Sequence, residues 1–285
     1  MTIEHELIAH YRHGDLEDAL MEAIAAAGKD PDKLTADDLA PADEFHVGGR
    51  PATIDLAKTL APHAGMHLLD IGAGLGGPSR YFAQTFGCRV SGVDLSEEYV
   101  TVARSLSRRV GLDCLVDYWQ ASALDLPFAD ASFDAAYMQH VGMNIADKPR
   151  LFDEVHRVLK PGGMFGIYDI MGIDTAPLKF PLPWASSAEI SFVEAPARYR
   201  ALLGIAGFEI VREHDWAPFA LDFYRKLKAR AAAGGTPPAL SLHVIIGPTA
   251  PQRIGNMVAL LEQGTVAPVE MISRRIDARH DQSTV

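Results

Sequence analysis

Asp70-Ile71-Gly72-Ala73-Gly74-Leu75-Gly76-Gly77-Pro78-Ser79-Arg80 is the stretch that decides the fold of this chain. It follows a short apolar run at 67–71 (HLLDI) and opens a helical one, the order strand, glycine loop, helix. Glycines at such a turn let backbone amides come close to a ligand, and the first turn of the helix favours negative charge. Gly72, Gly74 and Gly77 also meet the G-x-G-x-x-G spacing of a dinucleotide site. Taken alone, that spacing fits equally a tight turn that binds nothing.

Outward from the loop, residues 65–170 alternate short apolar or β-branched runs with helical stretches, the signature of βαβ units and a parallel sheet. Strands are expected at 67–71, 89–94, 114–120, 134–139 and 164–170, with helices at 78–86, 96–110 and 147–159. The last helix should stop at Leu159-Lys160-Pro161-Gly162-Gly163. A sixth strand is expected at 208–213 and an antiparallel seventh at 269–273, with 243–246 competing for that place. Residues 1–64 are helical in pattern and rich in charge. The expected fold is therefore α/β, a seven-stranded mostly parallel sheet with helices on both faces. It is preceded by a helical N-terminal segment (1–64) and carries a cap-like insertion at about 171–200 within the domain 65–285.

Two carboxylates narrow the ligand. Asp94 ends the second strand, where a carboxylate accepts hydrogen bonds from ribose hydroxyls. Asp70 ends the first strand, two residues before Gly72. Beside a pyrophosphate it would set like charge against like, which Coulomb's law penalises. An adenosine ligand with a cationic amino group and a sulfonium suits it better. S-adenosylmethionine is thereby favoured over NAD.

The loop resembles motif I of the class I S-adenosylmethionine-dependent methyltransferases, and the likeness runs from about 67 to 170. VSGVDLSEEYVTVAR (90–104), ASALDLPFADASFDAAYMQHV (121–141) and LFDEVHRVLKPGGMFGIYDI (151–170) are similar to the segments that follow it in that family. ADEFHVGGRPAT (42–53) resembles the segment ahead of the motif in the GLGGPSR subgroup, which includes sarcosine, phosphoethanolamine and quinone-biosynthesis methyltransferases. The resemblance implies a Rossmann-like fold with Asp70, Gly72 and Gly74 at the methionine end and Asp94 and Leu95 at the ribose and adenine. Gln139 would face the methionine portion. Where the family often has an acid before an alanine, to bind the adenine amino group, this chain has Ser122 before Ala123. A hydroxyl accepts that bond less strongly than a carboxylate.

Methyl transfer from a sulfonium is an in-line displacement, so alignment and exclusion of water carry most of the catalysis. A hydroxyl or protonated amine acceptor also needs a base. His140, just past the fourth strand at the carboxyl edge of the sheet, is the first candidate, with a purely loop-shaping role as the alternative. His46 is the second and Tyr11 the third, each with a structural alternative. His10 and His13 are three apart, yet no carboxylate at useful spacing accompanies them, so no metal site is expected. Substrate recognition falls to 1–50 and 171–200, where Phe180, Pro181, Leu182, Pro183 and Trp184, with Met143 and Tyr168, either form a wall for an apolar acceptor or pack the cap onto the core.

Composition sets bounds on all of this. Of 285 residues, 48% are hydrophobic and 22% charged, the balance of a globular protein. A net charge of −11 opposes nucleic acid as the main partner, since phosphate contacts supply most such affinity. The basic stretch SRRIDARH (273–280) reads as a solvated tail. Two cysteines, Cys88 and Cys114, make neither a disulfide framework nor a cysteine zinc site. No apolar run reaches the roughly 20 residues of a membrane span, and the first fifteen residues lack the apolar core of a signal peptide. A cytoplasmic enzyme with a small-molecule substrate is expected. The oligomeric state stays open, a homodimer among the options. An NAD-dependent oxidoreductase and a non-catalytic cofactor-binding protein are the competing readings.

Overall fold

A computed structural model describes residues 2–234 and 238–276. Seven strands form one sheet: β1 (His67–Ile71), β2 (Arg89–Asp94), β3 (Val116–Gln120), β4 (Phe133–Gln139), β5 (Leu159–Gly172), β6 (Phe208–Asp215) and β7 (Val266–Arg275). Their spatial order is β3-β2-β1-β4-β5-β7-β6. The first five run parallel, and β7 enters antiparallel between β5 and β6. The chain walks outward from β1 through β2 to β3, then returns to β4 on the other side of β1. Open α/β sheets bind ligands at such a reversal, outside the carboxyl ends of the strands.

Eleven helices are described: α1 (Ile3–Tyr11), α2 (Leu16–Ala26), α3 (Ala36–Asp43), α4 (Arg50–Leu60), α5 (Gly77–Phe86), α6 (Glu97–Arg109), α7 (Lys148–Val158), α8 (Pro196–Ile205), α9 (Ala217–Ala232), α10 (His243–Ile246) and α11 (Ala250–Glu262). Their starts are written in local chemistry. Thr35 and Asp38 form a reciprocal capping box on α3, Ser96 accepts from Tyr99 N on α6, and Asp147 accepts from Arg150 N on α7. Both faces of the sheet are covered. Leu56, Phe82, Val100 and Ala103, from α4, α5 and α6, pack on one side with Leu68 and Val90. Leu151, Phe152, Leu202 and Leu203, from α7 and α8, pack on the other with Ile71, Met138 and Ile167.

Several expectations need correcting. Residues 243–246 form α10, and β7 is the seventh strand, longer at both ends than expected. LKPGG does not lie between helix and strand as a separate stop: α7 ends at Val158 and β5 begins at once with Leu159. Ser273, Arg274 and Arg275 are the end of β7 and not a tail, while 277–280 of that basic stretch lie outside the described residues.

The cover over the carboxyl edge reaches beyond the expected insertion at 171–200. Leu182, Trp184 and Ile190 of that stretch take part in it, joined by segments ahead of β1 and between β6 and β7. Leu16, Leu20 and Ile24 of α2 and Leu39 of α3 pack with Leu240 and Ile245, while Leu7 of α1 packs with Met257 and Leu260 of α11. Helices α9, α10 and α11, inserted between β6 and β7, thus join α1–α3 in a second apolar layer.

Candidate active site

At the topological reversal a cavity of about 150 Å³ opens between the sheet edge and this cover. Its first wall is the loop after β1. Gly72 holds φ 69°, and a side chain there would strike Val141 in the loop after β4. Only glycine allows those two loops to close on each other. The loop amides are already engaged: Gly72 N and Ala73 N donate to Val93 O at 2.8 and 2.9 Å, and Gly74 N donates to Asp94 Oδ2 at 2.9 Å. A pyrophosphate would need those amides, so the arrangement disfavours a dinucleotide despite the spacing of the glycines.

The carboxylates stand in two different settings. Asp94 accepts from Gly74 N and Ser96 N, each at 2.9 Å, which fixes its plane at the edge of the cavity while leaving lone pairs for hydroxyl donors. Burial raises its proton affinity. Asp70 is 2% exposed and accepts from Ser79 Oγ at 2.6 Å. It forms no ion pair among the described residues, and burial pushes it up to about 7 against the pull of Ser79. A buried carboxylate lacking a counter-ion is the chemistry that a ligand ammonium group satisfies. These donors and acceptors fit S-adenosylmethionine: a carboxylate for its amino group, another for its ribose hydroxyls, and a closed loop with no bid for phosphate.

Beside Asp94 the cavity is lined by Leu95, Ser122 and Ala123. Ser122 Oγ accepts from Leu124 N at 3.1 Å and donates to Glu4 Oε1 of α1 at 2.5 Å. The carboxylate that the sequence lacks before Ala123 is therefore present in space, delivered from 118 residues away. Nothing local marks Glu4, since its meaning depends on where α1 docks.

Three side chains follow from β4 and the segment ahead of α4. Gln139, at the end of β4, places its amide 3.2 Å from His46 Nε2. His46 Nε2 also lies 3.1 Å from Gly49 O and 3.2 Å from Thr53 Oγ1, and Thr53 in turn donates to Glu44 Oε2 at 2.6 Å. Burial lowers His46 to about 4 and raises Glu44 to about 7. His46 is thus a neutral ring whose one nitrogen is committed to a buried network that orients Gln139. The same segment is pinned to α5 by Asp43 and Arg80, a fully buried ion pair at 2.5 Å.

His140 is different. It holds φ 57°, an unfavourable backbone region for a residue with a side chain, and such strain gathers at working sites. Its N–H donates to Tyr168 O at 2.7 Å and its ring stacks at 5.1 Å on Tyr168. Its Nε2 is buried with no hydrogen-bond partner among the described residues. Burial, assisted by His46, holds the ring well below the ordinary histidine value, so it is neutral at pH 7. Tyr11 donates from its hydroxyl to Asn144 Oδ1 at 3.0 Å, and Asn144 donates to Trp184 O at 2.7 Å.

All eleven residues singled out from the sequence therefore line one cavity: Asp70, Gly72, Gly74, Asp94, Leu95, Ser122, Ala123, Gln139, His140, His46 and Tyr11. The 180–184 stretch does not. Leu182 and Trp184 are buried in the layer behind, in one cluster with Leu7, Met143 and Met257, and Trp184 O accepts from Asn144, which lines the cavity. Tyr168 likewise stands behind His140. Phe45, Asn144 and Ile245 line the cavity and were not anticipated; of these, only Asn144, a polar residue in the loop after a strand, carried a readable signal. His10 contacts Pro183 O at 3.2 Å, and no cluster of metal-ligating side chains occurs among the described residues.

Comparison with known proteins agrees with this geometry. A family profile described as a methyltransferase domain matches residues 69–167. The methyltransferase GfsG of Streptomyces halstedii is 34% identical over 71% of this chain and 74% of its own length. A glycine/sarcosine/dimethylglycine N-methyltransferase of Actinopolyspora halophila is 31% identical over 67% of this chain, which spans 33% of that protein's length. A geranyl diphosphate C-methyltransferase from Streptomyces coelicolor A3(2), 18% identical, shares the fold with a TM-score of 0.69 over 97% of this chain and 99% of its own. The oxidoreductase reading falls with these matches. The chain belongs to the class I S-adenosylmethionine-dependent methyltransferases.

Proposed function

We propose that this protein transfers the methyl group of S-adenosylmethionine to a small-molecule acceptor by in-line displacement. The observation that carries the reading is Asp70, a buried carboxylate with no ion-pair partner among the described residues, at the mouth of a glycine loop whose amides are already used. In this reading Asp70 receives the amino group of the methionine portion and Asp94 the ribose hydroxyls. Leu95 and Ala123 flank the adenine, Ser122 and Glu4 bind its amino group, and Gln139, held by His46, faces the methionine portion. The sulfonium supplies a methyl carbon already activated for attack. The protein's task is to align the acceptor, exclude water with the α1 cover, and accept a proton at His140 where the acceptor carries one. Its charge of −11 supports a small molecule over nucleic acid, and its two unpaired cysteines support a cytoplasmic setting.

The test is calorimetric titration with S-adenosylmethionine, S-adenosylhomocysteine and NAD. The two sulfur ligands should bind and NAD should not. Asp94→Ala should weaken S-adenosylhomocysteine by about 1.5–3 kcal/mol, roughly 10- to 100-fold, through loss of hydrogen bonds to a charged acceptor. Unchanged affinity would remove Asp94 from the ribose. Binding without turnover on any acceptor would favour a non-catalytic role.

A further inference from the structure

The lining of the cavity divides into two chemical sets. The first is polar and matches the proposed cofactor: Asp70, Asp94 and Ser122. The second comes from the cover and the loop after β4, and consists of Leu7, Ile8, Tyr11, Phe45, Ile145 and Ile245. It is apolar but for the Tyr11 phenol, whose hydroxyl is already given to Asn144; the Tyr99 phenol beside it keeps its proton, because burial raises it well above the ordinary tyrosine value. No lysine or arginine lines the cavity among the described residues, and its third carboxylate, Asp43, is held by Arg80.

An acceptor must sit against this second set and be satisfied there. A phosphate or carboxylate would find no cation, and burying an unpaired charge is costly. An ammonium would find no free carboxylate outside the set that the cofactor uses. A hydroxyl needs only one acceptor for its proton, and one is waiting: His140 Nε2, buried and unpartnered, in the loop whose Val141 closes on Gly72. Occupying it also removes the cost of leaving that nitrogen unsatisfied.

We propose that the acceptor is a neutral, largely apolar molecule carrying a hydroxyl group, which is methylated on oxygen while His140 Nε2 takes the hydroxyl proton. This rests on the methyl-transfer reading above. In the step, the acceptor oxygen forms a bond to the methyl carbon as the carbon–sulfur bond breaks and its electron pair stays on sulfur. The O–H bond breaks and its proton passes to His140. The positive charge that was on sulfur is then on the imidazolium, so the step adds no net charge to the cavity. A ring kept neutral by burial is in the accepting form throughout the neutral pH range.

Three probes with one skeleton test this: naphthol, naphthylmethylamine and naphthyl phosphate, titrated into the full chain saturated with S-adenosylhomocysteine. Naphthol should bind about tenfold or more tightly than the charged pair, and radiolabelled S-adenosylmethionine should yield its methyl ether. His140→Asn keeps a residue that tolerates a positive φ. It should leave S-adenosylhomocysteine affinity unchanged and cut methyl transfer by about 10²–10⁴-fold. Tighter binding of the amine or the phosphate, or no preference, overturns the acceptor class while the cofactor reading stands. Full transfer by His140→Asn overturns the role of the histidine. Failure of S-adenosylhomocysteine itself to bind overturns the cofactor reading beneath both.

Discussion

The glycine loop and the helical cover enclose the same cavity but draw their partners from different distances along the chain. Asp70 is held by Ser79, nine residues on, and Asp94 by Gly74, twenty residues back. In the cover, Glu4 reaches Ser122 across 118 residues, Tyr11 reaches Asn144 across 133, and His10 reaches Pro183 across 173. Short loops close cheaply and hold their geometry through backbone hydrogen bonds, so their pattern shows in the residues themselves. The cover has no ladder to the sheet and joins it through side chains. The loop side of the cavity is thus specified locally and the cover side by docking.

The largest test of that contrast strikes the joint between the halves. Arg80→Ala leaves Asp43 buried without its counter-charge, and should cost about 3–5 kcal/mol in urea denaturation followed by circular dichroism. Adding Asp43→Asn should recover part of the loss. A double variant as unstable as the single would mean that α3 is not held to α5 by this pair.

A second test stays within the loop and uses pH. Asp70 titrates near 7 when folded and near the ordinary 3.8 when unfolded. Between those values the folded chain keeps a proton that the unfolded chain has lost, so this group's contribution to stability falls as pH rises from about 4 to about 7. A ligand ammonium placed beside Asp70 reverses the shift, and binding near pH 7 should release protons. Calorimetry of S-adenosylhomocysteine binding in two buffers of different ionisation heat reads this directly, and Asp70→Asn should abolish it. Equal apparent enthalpies for the unaltered chain would sink the assignment of the amino group.

The smallest effect belongs to the cover. Glu4→Ala removes one charged hydrogen bond at a part-exposed site and should weaken S-adenosylhomocysteine by about 0.5–1.5 kcal/mol, with little change in unfolding midpoint. An effect as large as that of Asp94→Ala would erase the contrast between local and docked residues.

The sheet was legible because β1, β2 and β4 are short runs rich in apolar residues that alternate with helical stretches, and because α6 and α7 carry their own caps. HVII at 243–246 misled because a four-residue apolar run has no period: tertiary packing against α2 and α3 makes it a helix. The arginines at 274 and 275 looked like a tail because charge at the end of a chain reads as solvated, whereas Arg274 pairs in register with both Met164 and Glu209. In the site, Asp70, Gly72, Gly74 and Asp94 carry spacing and chemistry that can be read without coordinates. Glu4, Phe45 and Ile245 carry neither. Leu182 and Trp184 took the second of their two readings: conspicuous in the sequence, they pack one layer behind the cavity.

Helix α1 spans only nine residues, yet its Glu4 is bonded at the end of β3 and its Tyr11 at the turn after β4, with Leu7 and Ile8 on the cavity between them. Whatever fixes this helix at its first turn also builds the apolar wall at its last. Under the proposed function an adenine near Glu4 and an acceptor against Leu7 and Ile8 would share this one helix, so the ligand that arrives second would meet a wall already in place. Linkage of that kind is reciprocal in affinity: acceptor tightens cofactor by the same factor by which cofactor tightens acceptor.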